Sequence, residues 1–449
     1  MQRILPQNLI RLAHALPAPL YVVGGSVRDF LAGSSPRYGL RDWDICAPAP
    51  AETLVKTAES LGFTVKAVYK NTGTVKLQDA DGVDYEFSQF RSDEYIRGVH
   101  TPVATHFTTD IRLDALRRDF TANAVYFEVT ENQFVDPLNG IAAIREKRLT
   151  TVRESSRVFG EDGLRLMRLA RQAAQLGFSP DRACMQGATE HANLISDISP
   201  ERIYAELVAI LAADEKYGVD GGHFHGLCIL NETRVLDRLF PELALGRGMS
   251  QRADFHKYDV LEHSLRAALY APKSIRLAAL LHDIGKPFCM LRDGNSFAHP
   301  EEGAKIASEL LNRLKAPKRV VERVRVLTAL HMYDFDCKTR ENKLRRFFVE
   351  HFPYLDDLLA LKQADFSACT DDRSPAPTCT KWQAVLSKMQ EERAPTTLKQ
   401  LAVNGSDLLA ADIPPHAIAQ KLHALLLHAA VNPTDNTKSR LLKLAAHIK

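Results

Sequence analysis

A strand that ends on paired glycines and resumes as a helix, followed by a second strand carrying two spaced carboxylates, constrains this chain most. The apolar run Leu20-Tyr21-Val22-Val23 stops at Gly24-Gly25, and Ser26-Val27-Arg28-Asp29 opens a helical pattern. Such a turn leaves backbone N–H groups free to face a phosphate. Arg41-Asp42-Trp43-Asp44 follows and reads as the next strand. Alternation along a strand puts Asp42 and Asp44 on one face. Two carboxylates so placed suit Mg²⁺, which takes oxygen ligands and keeps room for substrate phosphates. The arrangement implies chemistry on a nucleoside triphosphate, with one ion activating an attacking hydroxyl and another steadying the pyrophosphate that leaves.

The chain changes period near residue 155. Before it, residues 73–77 and 83–90 read as strands and 51–61 as a helix. After it, apolar residues recur at three- and four-residue spacing over 161–176, 201–212, 258–270, 275–281, 320–330 and 418–429. Ser199 before Pro200 signals a helix start. Residues 371–377 read as an exposed linker and Pro414-Pro415 as a break among the last helices. At 449 residues the chain exceeds one ordinary core, and length alone suggests roughly three domains. No apolar run reaches membrane-spanning length and the N-terminus lacks a signal-peptide pattern, so a cytoplasmic protein is expected. The seven cysteines are scattered without a C-x-x-C pair, which argues for free thiols. A net charge of +3 leaves any RNA-binding surface to local clustering.

Three further patterns carry chemistry. Glu86 shares a strand face with Asp84 and Ser88, where it can join Asp42 and Asp44 as a third carboxylate. Arg117-Arg118-Asp119-Phe120-Thr121-Ala122-Asn123-Ala124 offers guanidinium groups for a triphosphate and polar groups for ribose hydroxyls. In Glu161-Asp162-Gly163-Leu164-Arg165-Leu166-Met167-Arg168-Leu169-Ala170-Arg171, helical spacing predicts Asp162 and Arg165 on one face. Cytosine and adenine both present an exocyclic amino donor beside a ring-nitrogen acceptor. An aspartate and an arginine would read both and leave uracil and guanine mispaired.

Together the Gly24-Gly25-x-Val27-Arg28-Asp29 turn, Asp42-x-Asp44, the Arg117–Ala124 motif and the Glu161-Asp162-x-x-Arg165-x-x-Arg168 motif resemble those of the nucleotidyltransferases that include class II CCA-adding tRNA nucleotidyltransferases and bacterial poly(A) polymerases. The resemblance implies an α+β protein. A nucleotidyltransferase head with a small mixed β-sheet and helices would span 1–150. An all-helical remainder would follow as a base-recognition neck (151–250), an HD-type body (251–370) and a tRNA-binding tail (371–449). It implies Asp42, Asp44 and Glu86 as catalytic residues, with Mg²⁺ on Asp42 and Asp44. Gly24, Gly25, Arg28, Arg118, Asp119, Asn123, Asp162, Arg165, Arg168 and Arg171 would bind the nucleotide. The polar stretch with Asp93, Glu94, Arg97, His100 and Pro102 resembles the flexible loop that helps switch from C to A addition. The activity implied is template-independent addition of C, C and A to tRNA from CTP and ATP. Poly(A) synthesis and partial CC- or A-addition are the neighbouring alternatives.

Farther along, His263, His282-Asp283 and Asp365 resemble the ligands of an HD phosphohydrolase, with His299 and His331 nearby in the pattern. Imidazoles with carboxylates suit a second divalent metal and a bound water activated toward a phosphoester, so hydrolysis of RNA ends is a third alternative. Lys438, Arg440 and Lys443 resemble the tail residues that grip tRNA; their phosphate contacts would be salt-dependent.

Overall fold

The computed structural model describes residues 1–34, 42–96 and 102–447; Arg41, Arg97 and His100, named above, lie outside the described residues. The backbone forms two compact units, Met1–Ala244 with Arg313–Lys315, and Leu245–Asn312 with Ala316–Lys449. Among the described residues no helix is long and apolar enough to cross a membrane, and no disulfide forms.

The first unit is α+β. Its strands are β1 (Tyr21–Val23), β2 (Asp42–Ala47), β3 (Thr64–Tyr69), β4 (Thr74–Gln78), β5 (Asp84–Gln89), β6 (Arg91–Glu94), β7 (Ala104–Phe107), β8 (Tyr126–Glu128) and β9 (Gln133–Val135). Seven of them form one sheet in the order β3-β4-β5-β2-β1-β8-β9. Only β2 and β5 run parallel in that sheet, in a register that sets Asp42 beside Asp84 and Asp44 beside Glu86. The pleat sorts the two strands by face. Trp43, Ile45, Tyr85 and Phe87 are buried, and Asp42, Asp44 and Glu86 point the other way into solvent. Each large apolar side chain so buried stabilises the sheet by about 1.5–3 kcal/mol, and that burial fixes where the carboxylates face. Glu86 therefore stands mid-sheet, between β4 and β2, and not at an edge. β6 and β7 pair as a separate antiparallel hairpin, so the stretch read as a loop begins and ends in strands.

The helices of this unit are α1 (Gln7–Ala15), α2 (Gly25–Leu31), α3 (Ala51–Ser60), α4 (Ile111–Leu116), α5 (Gly140–Arg145), α6 (Ser155–Glu161) and α7 (Leu164–Leu176), followed by others up to Pro241–Ala244. The remainder is helical except for Ser179–Pro180, which pairs in parallel with Arg148–Leu149. Spacing predicts one helix over 161–176, and here the structure departs. Helix α6 stops at Glu161, Asp162 is extended (φ −146°, ψ 107°), and α7 starts at Leu164. The Asp162 carboxylate accepts from the Leu164 N–H at 3.0 Å, satisfying a donor that the first turn leaves open. At Gly163 an added Cβ would lie 2.6 Å from the Leu194 carbonyl oxygen. The chain thus bends against its neighbour where only glycine fits, and Asp162 and Arg165 do not share a helix face.

The second unit is helical. Its helices Val260–Tyr270, Arg276–Leu281, His299–Arg313, Lys318–Leu330 and Leu355–Thr370 carry or flank the histidines and aspartates read above. The predicted exposed linker is partly tied down. Asp371 accepts from Arg266 and Tyr270, each at 2.7 Å, and from Tyr258. In the last helix, Lys438–His447, Lys438 binds Asp407 at 2.5 Å and Arg440 binds Asp435 at 2.9 Å, so two of the three tail cations already have acidic partners.

Candidate active site

The carboxylate face of β2 and β5 forms the floor of a cavity of about 580 Å³ in the first unit. Gly24 closes one side of it. Its φ of +77° and ψ of −139° fall where side chains are rarely tolerated, and a Cβ there would stand 2.9 Å from the Asp44 carboxylate. Glycine is thus required both by the turn and by the approach of Asp44. Among the described residues the carboxylates of Asp42 and Asp44 make no hydrogen bond or ion pair, and that of Glu86 has only Lys76 at 3.6 Å. Asp44 touches water, yet protein fills much of the volume around it. This partial desolvation, with Glu86 and Asp42 alongside, raises its pKa against the pull of Arg118 and Arg168. Crowded, unpaired carboxylates beside a cavity are a donor set that fits hard divalent cations.

The cavity wall is rich in arginine, but its arginines differ in what they have left to give. Arg118 donates to Tyr126 at 3.1 Å and to Asp114 at 3.0 Å. Asp114 also takes Arg117 at 2.7 Å and the Tyr126 hydroxyl at 2.7 Å. Burial alone would raise Asp114; Arg118 and Arg117 overcome it and hold it at about 2. Arg28 is held by Asp29 at 2.7 Å and by Asn123 at 2.8 Å. Asn123 donates in turn to Asp119 at 3.0 Å and to Gln172 at 2.9 Å. Asp119 also accepts from the Phe120 N–H and forms an ion pair with Arg168 at 2.7 Å, and despite its burial it too is held at about 2, chiefly by Arg168. Asp119, Asn123 and Arg28 therefore form one buried network that positions the wall. Arg168 keeps its Nε removed from solvent without a hydrogen-bond partner among the described residues, while its side chain as a whole is 41% exposed and lines the cavity. Arg171 is held by Glu206 at 2.6 Å.

Asp162 and Arg165 meet at this cavity by a route other than helical spacing. Arg165 is buried and donates to the carbonyls of Val158 and Arg117, both at 2.9 Å, and to Glu161 at 3.0 Å, with the Tyr95 ring 5.6 Å from its guanidinium. One carboxylate oxygen of Asp162 caps α7, and Arg202 approaches the other at 4.0 Å. The anchoring of Arg165 by main-chain oxygens, and the roles of Asp114, Tyr95 and Gln172, carry no local sequence signal. The cap is different, because Asp before Gly at a helix start is a recognisable pattern.

The second unit brings its predicted residues together. His263 Nε2 lies 3.0 Å from Asp365, 3.4 Å from Asp283 and 3.3 Å from His282 Nε2. On the other side, His299 lies 3.2 Å and His331 3.5 Å from Asp283. Asp283 thus joins two triads that could each hold an ion, His263–His282–Asp283 and Asp283–His299–His331. Neither Asp283 oxygen receives a hydrogen bond of good geometry, although Lys286 Nζ stands 2.6 Å away. Burial opposes its charge, but His282 and Lys286 hold Asp283 well below the usual carboxylate range. Main-chain carbonyls fix three of the rings: His282 Nδ1 lies 2.7 Å from Ala279 O, His331 Nδ1 2.7 Å from Thr328 O and His299 Nδ1 2.6 Å from Ser296 O. Such contacts orient imidazole ligands.

Residues 20–150 match the family described as the Poly A polymerase head domain, residues 177–245 one described as a probable RNA and SrmB-binding site of polymerase A, and residues 256–357 the HD domain. The chain is 32% identical over 368 residues to the CC-adding tRNA nucleotidyltransferase of Thermus thermophilus, spanning 78% of this chain and 76% of that one. It is 30% identical over 369 residues to the A-adding tRNA nucleotidyltransferase of Deinococcus radiodurans, spanning 78% and 77%. Its fold is also similar to that of the Bacillus stearothermophilus CCA-adding enzyme in complex with CTP. That TM-score is 0.65, over 98% of this chain and 96% of that one, at 23% identity.

Proposed function

The chain belongs to the tRNA nucleotidyltransferase and poly(A) polymerase family, and on that premise we propose that it adds C, C and A to tRNA 3′ ends from CTP and ATP without a nucleic-acid template. The observation that carries this reading is one cavity bounded by Asp44 and Glu86 on its floor and by Asp162 and Arg165 on its wall. In this reading Asp42, Asp44 and Glu86 would hold divalent ions, Mg²⁺ in the first instance, that activate the terminal hydroxyl of the RNA and neutralise the departing pyrophosphate. Gly24 and Gly25 let the backbone approach the triphosphate, and the exposed part of the Arg168 side chain donates to it. Arg165 donates to the ring nitrogen of the base and Asp162 accepts from its amino group. Arg118, Asp119, Asn123 and Arg28 keep that wall in place, and Arg171 extends it.

In sequence the polar stretch between Arg91 and Asp114 is not visibly truncated, and that length supports full CCA addition. The functional divisions are a head over 1–150, a neck over 151–250, a body over 251–370 and a tRNA-gripping tail over 371–449, acting in the cytoplasm. The two triads sharing Asp283 favour a second activity in the body: a divalent-metal phosphohydrolase, the metal held by His263, His282, Asp283 and Asp365, acting on terminal phosphates of RNA.

Single-nucleotide addition to tRNA tests the transferase reading. Asp44→Asn should slow CMP and AMP incorporation about a thousandfold, equivalent to several kcal/mol of transition-state stabilisation. Incorporation at the wild-type rate would refute it.

A further inference from the structure

The second unit places a cysteine sulfur beside its oxygen- and nitrogen-rich centre. The Lys257 N–H donates to the Cys369 carbonyl at 2.9 Å, tying the segment before helix Val260–Tyr270 to the last turn of helix Leu355–Thr370. That tie brings His256 and Cys369 together although 112 residues separate them in the chain. The His256 ring meets His263 edge-on, with centroids 5.0 Å apart and an interplanar angle of 87°. One potential ligand atom from each of His256, His263 and Cys369 lies within 4.8 Å of the other two.

Two observations show that this contact is more than packing. The Nδ1 atoms of His256 and His263 are both removed from solvent and lack a hydrogen-bond partner among the described residues, and the His263 side chain is fully buried. A buried imidazole nitrogen without a partner is costly unless something binds it. The Cys369 thiol makes only a long contact, 3.4 Å, to the Asp365 carbonyl one turn back.

The donor sets of the two neighbouring positions differ in softness. Around Asp283 they are imidazoles and carboxylate oxygens. At the outer position they are two imidazoles and a thiol, and a thiolate turns preference away from Mg²⁺ and Mn²⁺ toward zinc-class ions. Three protein ligands leave a fourth tetrahedral position open to water or to a ligand.

We propose that His256, His263 and Cys369 form a binding site for a thiophilic divalent cation of the zinc class, flanking the carboxylate-containing centre and sharing His263 with it. Binding exchanges the Cys369 thiol proton for the metal and releases that proton to solvent. Because His263 also faces Asp365 and Asp283, occupation of the outer position competes for an imidazole that the inner centre uses.

Cobalt(II) is the probe. The full-length protein, stripped of metal with a chelator, should develop a thiolate-to-cobalt charge-transfer absorption in the near ultraviolet on titration, and excess Zn²⁺ should abolish it. Cys369→Ser should lose that absorption, and His256→Ala should weaken cobalt binding there at least tenfold. On the unmutated protein, Zn²⁺ should slow alkylation of Cys369 at least tenfold, read by peptide mass spectrometry, which needs no variant to fold. No thiolate absorption in the wild type, the same absorption in Cys369→Ser, or alkylation of Cys369 indifferent to zinc would each overturn the proposal.

Discussion

The two carboxylate oxygens of Asp162 stand in different surroundings. One caps α7 through the Leu164 N–H. The other has Arg202 at 4.0 Å, on a residue that lines the cavity, and in our reading it accepts from the amino group shared by cytosine and adenine. Asn at this position can keep the cap, because its carbonyl oxygen also accepts, while the second oxygen becomes a donor. Asp162→Asn should therefore unfold like the wild type but lower the preference for CTP over UTP by roughly 10- to 100-fold, the weight of a hydrogen bond to a charged group. Competition between the two nucleotides on one tRNA acceptor measures it; an unchanged ratio would remove Asp162 from base recognition. Positions such as Asp42, Asp44 and Glu86 were legible because strand alternation assigns faces from sequence alone. Asp114 was not: its partners Arg117, Arg118 and Tyr126 follow it by up to twelve residues, but its burial comes from tertiary packing that no local pattern encodes.

At the scale of elements, the misjudged helix over 161–176 is the instructive case. The helix read over 161–176 is α7 with its start set three residues too early, since Glu161 is the last residue of α6 and Asp162 is extended. The break itself was written in Asp162-Gly163, an N-cap residue beside a weak helix former. Gly163 has helical angles, φ −58° and ψ −21°, so alanine there would gain about 0.5–1 kcal/mol of backbone preference. Its Cβ would also meet the Leu194 carbonyl oxygen at 2.6 Å, and overpacking against backbone costs about 1–3 kcal/mol. The second effect wins, so Gly163→Ala should lower the urea midpoint of unfolding and disturb base selection with it. A midpoint equal to or above that of the wild type would show that the close approach is not a constraint. The sheet was half legible in the same sense. Its strands could be read from alternation, but the parallel register of β2 and β5, which sets Asp44 beside Glu86, comes from the crossover between them.

For the whole molecule, the change of period near residue 155 announced a mixed head and a helical remainder, which is the architecture observed. The histidine and aspartate clusters of the second unit were legible where a motif names its members, as with His282-Asp283, and hidden where segments far apart in the chain supply them, as with His256 and Cys369. The central claim is that one cavity with a fixed Asp162–Arg165 pair builds a defined three-nucleotide end. It is tested most directly by incubating the purified protein with tRNA transcripts that end at the discriminator base, supplying CTP, ATP or both, and sequencing the products. The account predicts CC with CTP alone and CCA with both. Homopolymeric A tails, CC with no A when both nucleotides are present, or a single A added only to tRNA already ending in CC would contradict it.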